Sequence, residues 1–184
     1  RAFAQNIAGV SYGQILSFTT KKFYEIGEIG PSGGYIFYNT QDTTGGWNFL
    51  ELHTADIMSD IPWANSNEYI STELTIGSGE FNVINIYNQL GESNIYAALV
   101  CMNFEHNGLS DWFLPSRDEL ILVKENLYLN GLGFLTPNSK YWSSSQDNTF
   151  SQNAWSVNMT DSQSNQSVSY PKNTPMFIRP IRKF

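Results

Sequence analysis

Residues 108–120, with the sequence GLSDWFLPSRDEL, constrain the fold of this chain more than any other segment. Ser116 and Glu119 have the S-x-x-E spacing of a capping box, in which the hydroxyl and the carboxylate each bind an amide that the helix start leaves free. Pro115 disfavours helical geometry at the residue before it, so the boundary is sharp. Apolar residues then recur at helical spacing, and Asn-Gly follows them. The segment therefore predicts a helix over residues 116–130.

The residues just before this helix are acidic and aromatic. We expect Asp111 to accept amides of its own turn, and Asp118 to favour the positive end of the helix dipole. Trp112 and Phe113 are predicted to fill the core beneath the helix. The acids together with Glu119 also invite a carboxylate-pair or calcium interpretation, but the D-x-D-x-D-G pattern of a calcium loop is missing from the sequence.

The pattern around this segment is that of an α+β domain. Two apolar runs separated by glycine-rich turns predict an N-terminal hairpin, and two further stretches have helical spacing. After Tyr141 the apolar residues alternate, which predicts a group of short antiparallel strands; Pro180 places the last of them at an edge or on a bulge. The predicted ranges are 34–39 and 47–52 for the hairpin strands, and 80–90 and 94–104 for the helices. Hairpin, helices and then strands is an α+β order.

Residues 108–120 resemble the G-x-x-D-W-x-L-P-x-x-x-E-L signature of the Lcl C-terminal domain family, also called DUF1566. Similar blocks occur at residues 24–40, 46–52, 141–145, 153–159 and 177–184. The resemblance implies a C-type-lectin-like domain over residues 23–184 whose first and last strands pair. Residues 1–22 fall outside it, and the stretch 9–18 is predicted to be extended. They form either a linker or an arm that packs on a neighbouring subunit.

Composition excludes several classes of partner. The net charge is -7 and only 15% of residues are charged, with no basic run, so nucleic acid, anionic membrane and sulfated polysaccharide are not expected to bind. No apolar stretch reaches the roughly 18 residues of a membrane span, which argues against direct membrane insertion. Cys101 is the single cysteine. It excludes an internal disulfide and is predicted to be a buried small apolar residue.

The sequence offers few groups for catalysis. His53 and His106 are the two histidines, and neither H-E-x-x-H nor G-x-S-x-G is present. The resemblance brings in two further comparisons. Formylglycine-generating enzymes of the same superfamily need a cysteine pair, and calcium-dependent lectins use Glu-Pro-Asn or Gln-Pro-Asp, both missing here. We therefore expect no enzyme activity, no cofactor and no metal site.

Residues 141–171 have the composition of a recognition surface. Their charged residues are two aspartates, and Ser, Asn and Gln surround aromatic side chains that include Trp142, Phe150, Trp155 and Tyr170, which is typical of adaptable binding loops. The resemblance points to the same region, because relatives vary the loops at 145–153 and 161–173. Trp142 is assigned to the core, and for Trp155 both a core and a surface place stay open. The expected ligand-binding residues are Gln146, Asp147, Asn148, Phe150, Asn153, Trp155, Tyr170 and Asn173.

Together these features predict a non-catalytic adhesin or receptor-binding domain, displayed at the cell surface, outside the cell or on a virion. Its ligand is expected to be a glycan or a protein. The alternative is a structural or decoration subunit of an appendage, surface layer or virion that has no soluble ligand. In either case residues 1–22 are candidates for assembly into a homo-oligomer, for example a trimer, or into a larger surface structure.

Overall fold

The computed structural model describes residues 3–13, 23–42, 44–162 and 167–184. Within these residues the chain forms three α-helices and three antiparallel or mixed sheets, which confirms the α+β class. The strands are β1 (Phe3–Asn6), β2 (Gly9–Tyr12), β3 (Tyr35–Asn39), β4 (Phe49–Leu52), β5 (Met58–Ile61), β6 (Lys140–Gln146), β7 (Asn153–Asn158), β8 (Ser167–Pro171), β9 (Met176–Ile178) and β10 (Ile181–Lys183). The helices are α1 (Gly79–Leu90), α2 (Ala97–Met102) and α3 (Arg117–Asn126), and a 3-10 turn covers Tyr128–Asn130.

The strands form sheets of two, three and five members. The predicted hairpin is β3–β4, and it carries β10 in the order β10-β4-β3. The last strand therefore pairs with the second strand of the hairpin, and the expectation that it pairs with the first is wrong. The predicted last strand, which was to contain Pro180, is divided there into β9 and β10, and the chain passes from one sheet to the other. The β10 strand lies at a sheet edge, whereas β9 is an inner strand of the five-stranded sheet. The other sheets are β5-β9-β6-β7-β8 and β1-β2.

Helix α1 agrees with its predicted range, while the other two helices are shorter than predicted. Helix α2 begins late because Tyr96 is extended and fully packed, with its hydroxyl donating to Gly91 O at 2.8 Å. Helix α3 ends at Asn126, because Leu127 caps it with its amide on Val123 O and the chain then tightens into the 3-10 turn at Tyr128–Asn130. Gly131 then adopts φ of 72° and lets the chain turn away. Of the stretch 9–18 that was predicted to be extended, the first four residues form β2. Residues 14–18 lie outside the described part of the chain.

The capping box at the start of α3 is confirmed. Ser116 Oγ accepts the Glu119 amide at 3.3 Å, and the Glu119 carboxylate accepts the Ser116 amide at 2.6 Å. The same carboxylate also accepts the Gly77 amide at 2.8 Å, so it ties the start of α3 to the segment before α1. Burial raises the pKa of Glu119, opposed by these hydrogen bonds. Gly79 has no room for a side chain, because a Cβ would meet the Glu119 carboxylate and the Phe113 ring.

The prediction for Asp111 needs correction. Asp111 does not accept amides of its own turn; it accepts Arg182 Nε at 2.6 Å. Arg182 also donates to Ser32 Oγ at 2.9 Å, and Asn107 donates to Ser32 O at 3.0 Å. This polar junction joins the glycine-rich turn before β3, the turn before Trp112 and the last strand. Side-chain hydrogen bonds thus link three of the six blocks that resemble the family signature, residues 24–40, 108–120 and 177–184.

The core is shared by all three helices and the two larger sheets. Trp142 is fully buried in it, and Cys101 is too, which confirms both predictions. Burial raises the pKa of the Cys101 thiol. Phe113 also belongs to this core, whereas Trp112 is buried in a separate aromatic cluster described below. Across the described residues, none of the helices has the length and apolar character that a membrane crossing requires.

Candidate functional site

Three loops meet at the end of the five-stranded sheet where β6 and β8 stop and β7 begins, and the backbone of Lys172 joins them. Lys172 N donates to Gln152 O, in the β6–β7 loop, at 2.9 Å. Lys172 O accepts the amides of Trp63 at 2.8 Å and Ala64 at 3.2 Å. We call the exposed part of these loops, residues 65–69, 148–153 and 173, the three-loop surface.

The side chain of Lys172 holds the same loops from within. The residue is 1% exposed, and its Nζ donates to Glu68 O and to Gln146 Oε1, both at 2.6 Å. The ammonium group also lies 4.8 Å from the centre of the Trp63 ring. Burial lowers the pKa of Lys172 to about 8, while the charge of Glu68 acts in the opposite direction. A cation is therefore buried under the three-loop surface with carbonyl oxygens and an aromatic face around it.

The three-loop surface presents two aromatic rings among uncharged polar side chains. Tyr69 and Phe150 are each 52% exposed, although each belongs to a different loop. Glu68 is the single charged residue of the surface. The exposed or half-buried amide side chains are Asn65, Asn67, Asn148, Gln152, Asn153 and Asn173. Rigid rings beside small hydrogen-bonding groups are the usual content of a recognition surface.

The β6–β7 loop is ordered by its own hydrogen bonds. Asp147 Oδ1 accepts the amides of Thr149 at 2.8 Å and Phe150 at 3.3 Å. The backbone closes the loop through Asp147 N to Asn153 O at 3.1 Å and Asn153 N to Phe150 O at 2.8 Å. Asn148 is exposed at the tip, and Phe150 is presented from a fixed turn. Fixed loops lose less conformational entropy when a ligand binds.

Two of the residues predicted to contact a ligand instead support the surface from inside. Gln146 is fully buried, and its Oε1 accepts both the Ile70 amide at 2.8 Å and Lys172 Nζ. Asp147 is 5% exposed and uses its carboxylate on turn amides. Burial removes both side chains from the exposed face. Their prediction as contact residues is corrected to a supporting role.

Trp155 and Tyr170 do not share one face. Trp155 pairs with Ser169, and Tyr170 pairs with Ala154, so the two rings leave the β7–β8 ribbon on opposite sides. Each is half-buried beside a cation: Arg117 lies 5.4 Å from the Trp155 ring centre, and Lys140 Nζ lies 4.1 Å from that of Tyr170. The single surface predicted from residues 141–171 is therefore divided. The predicted stretch 161–173 also includes residues 163–166, which lie outside the described part of the chain.

The sequence patterns did not predict a binding role for residues 65–69 or the supporting role of Lys172. Residues 65–69 do carry a signal, because their sequence NSNEY has the same combination of amide, hydroxyl and aromatic groups as residues 146–155. Helical or strand periodicity does not detect such a loop. Lys172 had no signal, since a lysine near a turn is ordinarily solvated.

The two histidines come together away from the three-loop surface. Their ring centres are 4.6 Å apart, and His53 also contacts Phe104 at 4.8 Å and Trp112 at 5.5 Å. His53 Nδ1 is 2.8 Å from Ala55 O, while His53 Nε2 and Trp112 Nε1 are buried without a hydrogen-bond partner. Burial lowers the pKa of His53, and the charges of His106 and Arg179 act in the same direction.

Metal ligands do not gather at this aromatic cluster or elsewhere in the described ranges, where no group of three or more His, Cys, Asp or Glu side chains is placed to hold an ion. No family model matches the chain, and no curated protein matches it either. The role of the chain is therefore inferred from the chemistry of the three-loop surface.

Proposed function

We propose that this chain is a non-catalytic recognition domain of C-type-lectin-like fold, related to the Lcl C-terminal domain family and displayed on a cell or virion surface. The three-loop surface binds a glycan or a protein. The observation that carries the proposal is the pair of half-exposed rings, Tyr69 and Phe150, set among amide side chains on loops that Lys172 ties together.

The chemistry of this surface suits a ligand without strong charge. Amide groups both donate and accept hydrogen bonds, so they match hydroxyl and peptide groups equally well. Aromatic faces supply contact area at a low entropy loss, because their side chains have only two rotatable bonds. Glu68 is the one charge present, and it disfavours anionic ligands. Binding is accordingly expected to depend little on ionic strength.

Truncating either exposed ring should remove most of the affinity. We expect Phe150→Ala and Tyr69→Ala each to weaken binding about tenfold or more, because central aromatic anchors typically contribute ~2 kcal/mol or more to an interface. Ligands are first found on a glycan array and a panel of surface proteins. Dissociation constants are then measured by calorimetry for the wild type and both variants.

The matched control is Phe81→Ala. Phe81 has the same side chain and the same exposed fraction, 52%, but it lies on α1. The Phe81→Ala variant should leave the dissociation constant of the ligand unchanged. Equal loss of affinity in Phe81→Ala and Phe150→Ala, or no loss in either loop variant, would contradict binding through the three-loop surface.

A second candidate function is assembly into a larger structure, and the β1–β2 hairpin favours it. Within the described residues β1 and β2 pair only with each other. Phe3, Val10 and Tyr12 lie on one face of this hairpin, with exposed fractions of 66%, 45% and 58%. The stretch 3–13 has no charged residue, although the chain carries a net charge of -7. An isolated two-stranded hairpin is only marginally stable in water, so an apolar partner surface would stabilise it.

The identical face of a second copy is the proposed partner surface, since it is equally apolar and uncharged. We expect the wild-type chain to be oligomeric at micromolar concentration by light scattering coupled to size exclusion. The double variant Phe3→Ser with Tyr12→Ser should be monomeric, and Ala4→Ser on the opposite face should stay oligomeric. A wild type that remains monomeric up to high concentration would rule out this assembly.

A further inference from the structure

Lys172 lies on the third loop of the three-loop surface and contacts the other two. Its backbone binds Gln152 and the Trp63–Ala64 segment, and its Nζ binds Glu68 O and Gln146 Oε1. These contacts bury the ammonium group almost completely, so the loops cannot separate without returning it to water. Closure of the surface and burial of this charge are therefore the same event.

We propose that Lys172 is a positioning residue of the three-loop surface, and that closing the loops is coupled to release of its proton. Ligand binding, which requires closed loops, then tightens as the solution becomes mildly alkaline. This inference rests on the proposed recognition function and concerns the regulation of the same surface.

The direction follows from proton linkage. An open, solvated Lys172 has its ordinary pKa of 10.5, whereas burial lowers the pKa to about 8 in the closed arrangement. Between these two values the closed form binds fewer protons than the open or unfolded form, so raising the pH favours closure. The closing equilibrium is expected to increase about tenfold between pH 7 and pH 9.

The groups that face Lys172 come from three elements. Glu68 is exposed on the 65–69 loop, and its charge acts on the pKa of Lys172 in the direction opposite to burial. On the β6 side, Gln146 is uncharged, and the Asp147 carboxylate beyond it is engaged by the amides of Thr149 and Phe150. Trp63 contributes an uncharged ring.

The test compares the wild type with Lys172→Met, which is permanently neutral, and Lys172→Arg, which is permanently charged. The equilibrium constant for folding is measured by urea denaturation from pH 7 to pH 9, without ligand. The folding constant of the wild type, divided by that of Lys172→Met, should increase about tenfold over this interval, because every other titrating group is common to both proteins. The folding constant of Lys172→Arg, divided by that of Lys172→Met, should not change with pH.

Dissociation constants for a ligand from the array experiment are measured over the same range. In the wild type binding should tighten with pH, by up to tenfold, and in both variants it should be independent of pH. A wild type whose folding constant follows that of Lys172→Met across the range would overturn the inference. Failure to find any ligand would instead count against the recognition function, since the folding measurement does not need one.

Discussion

Replacing Arg179 with leucine is expected to lower the free energy of unfolding by about 3–5 kcal/mol. Arg179 is 1% exposed, and its guanidinium binds Asp56 at 2.6 and 2.7 Å. It also donates to the carbonyl oxygens of His53, Gly133 and Phe134 at 2.7–3.1 Å. Leucine would leave a carboxylate and three carbonyl groups without these donors. The measurement is urea denaturation at neutral pH.

Arg182→Leu is the matched control, because Arg182 lies only three residues further along and is also ion-paired. Its partner Asp111 has a side chain that is 50% exposed. Because Asp111 keeps this pair in contact with water, Arg182→Leu should lose less stability than Arg179→Leu, about 1 kcal/mol or less. If the two arginine variants lose the same stability, burial is not what makes the Arg179 contacts important.

The second large effect is expected for Glu119→Ala, which should lower the free energy of unfolding by about 2–4 kcal/mol. The buried carboxylate accepts the amides of Ser116 at 2.6 Å and Gly77 at 2.8 Å. Alanine leaves these buried donors without an acceptor and separates the start of α3 from the segment before α1. Removing a buried charge offsets part of the loss. The change is measured by thermal and urea denaturation.

Asp118→Ala provides the comparison within the same helical turn. Asp118 is partly exposed, pairs with its neighbour Arg117 at 2.8 Å, and contributes mainly through the helix dipole. Its removal should lower the free energy of unfolding by about 0.3–1 kcal/mol. Similar losses in the Glu119 and Asp118 variants would mean that the link from the capping box to Gly77 has no stabilising role.

Local interactions explain which parts of the fold could be predicted. The capping box depends on two side chains three residues apart, so its spacing alone indicated Ser116 and Glu119. The β3–β4 hairpin and α1 follow from short-range alternation and helical spacing. Predictions that needed distant partners were less accurate. Asp111 binds Arg182, which is 71 residues away, and no local pattern specifies that pair.

The three-loop surface shows the same division. Composition identified the β6–β7 loop with Asn148 and Phe150, and also Asn173, because polar turns with an aromatic ring are a local feature. The 65–69 loop is about eighty residues earlier in the chain and is held beside the β6–β7 loop by Lys172 and by the bond from the Ile70 amide to Gln146. The sequence alone cannot distinguish Gln146 from a surface glutamine, because its burial depends on contacts with Ile70 and Lys172, which belong to two other segments.

The sequence by itself determined the α+β class, the helix boundary at Ser116, the buried state of Cys101 and Trp142, and the weakly charged character of the loops. The tertiary structure alone decided which loops meet, which polar side chains are buried, and that Trp155 and Tyr170 point apart. The reason is physical: backbone preferences and capping act over a few residues, whereas burial of Lys172 or Arg179 depends on carbonyl groups supplied by segments far apart in the chain.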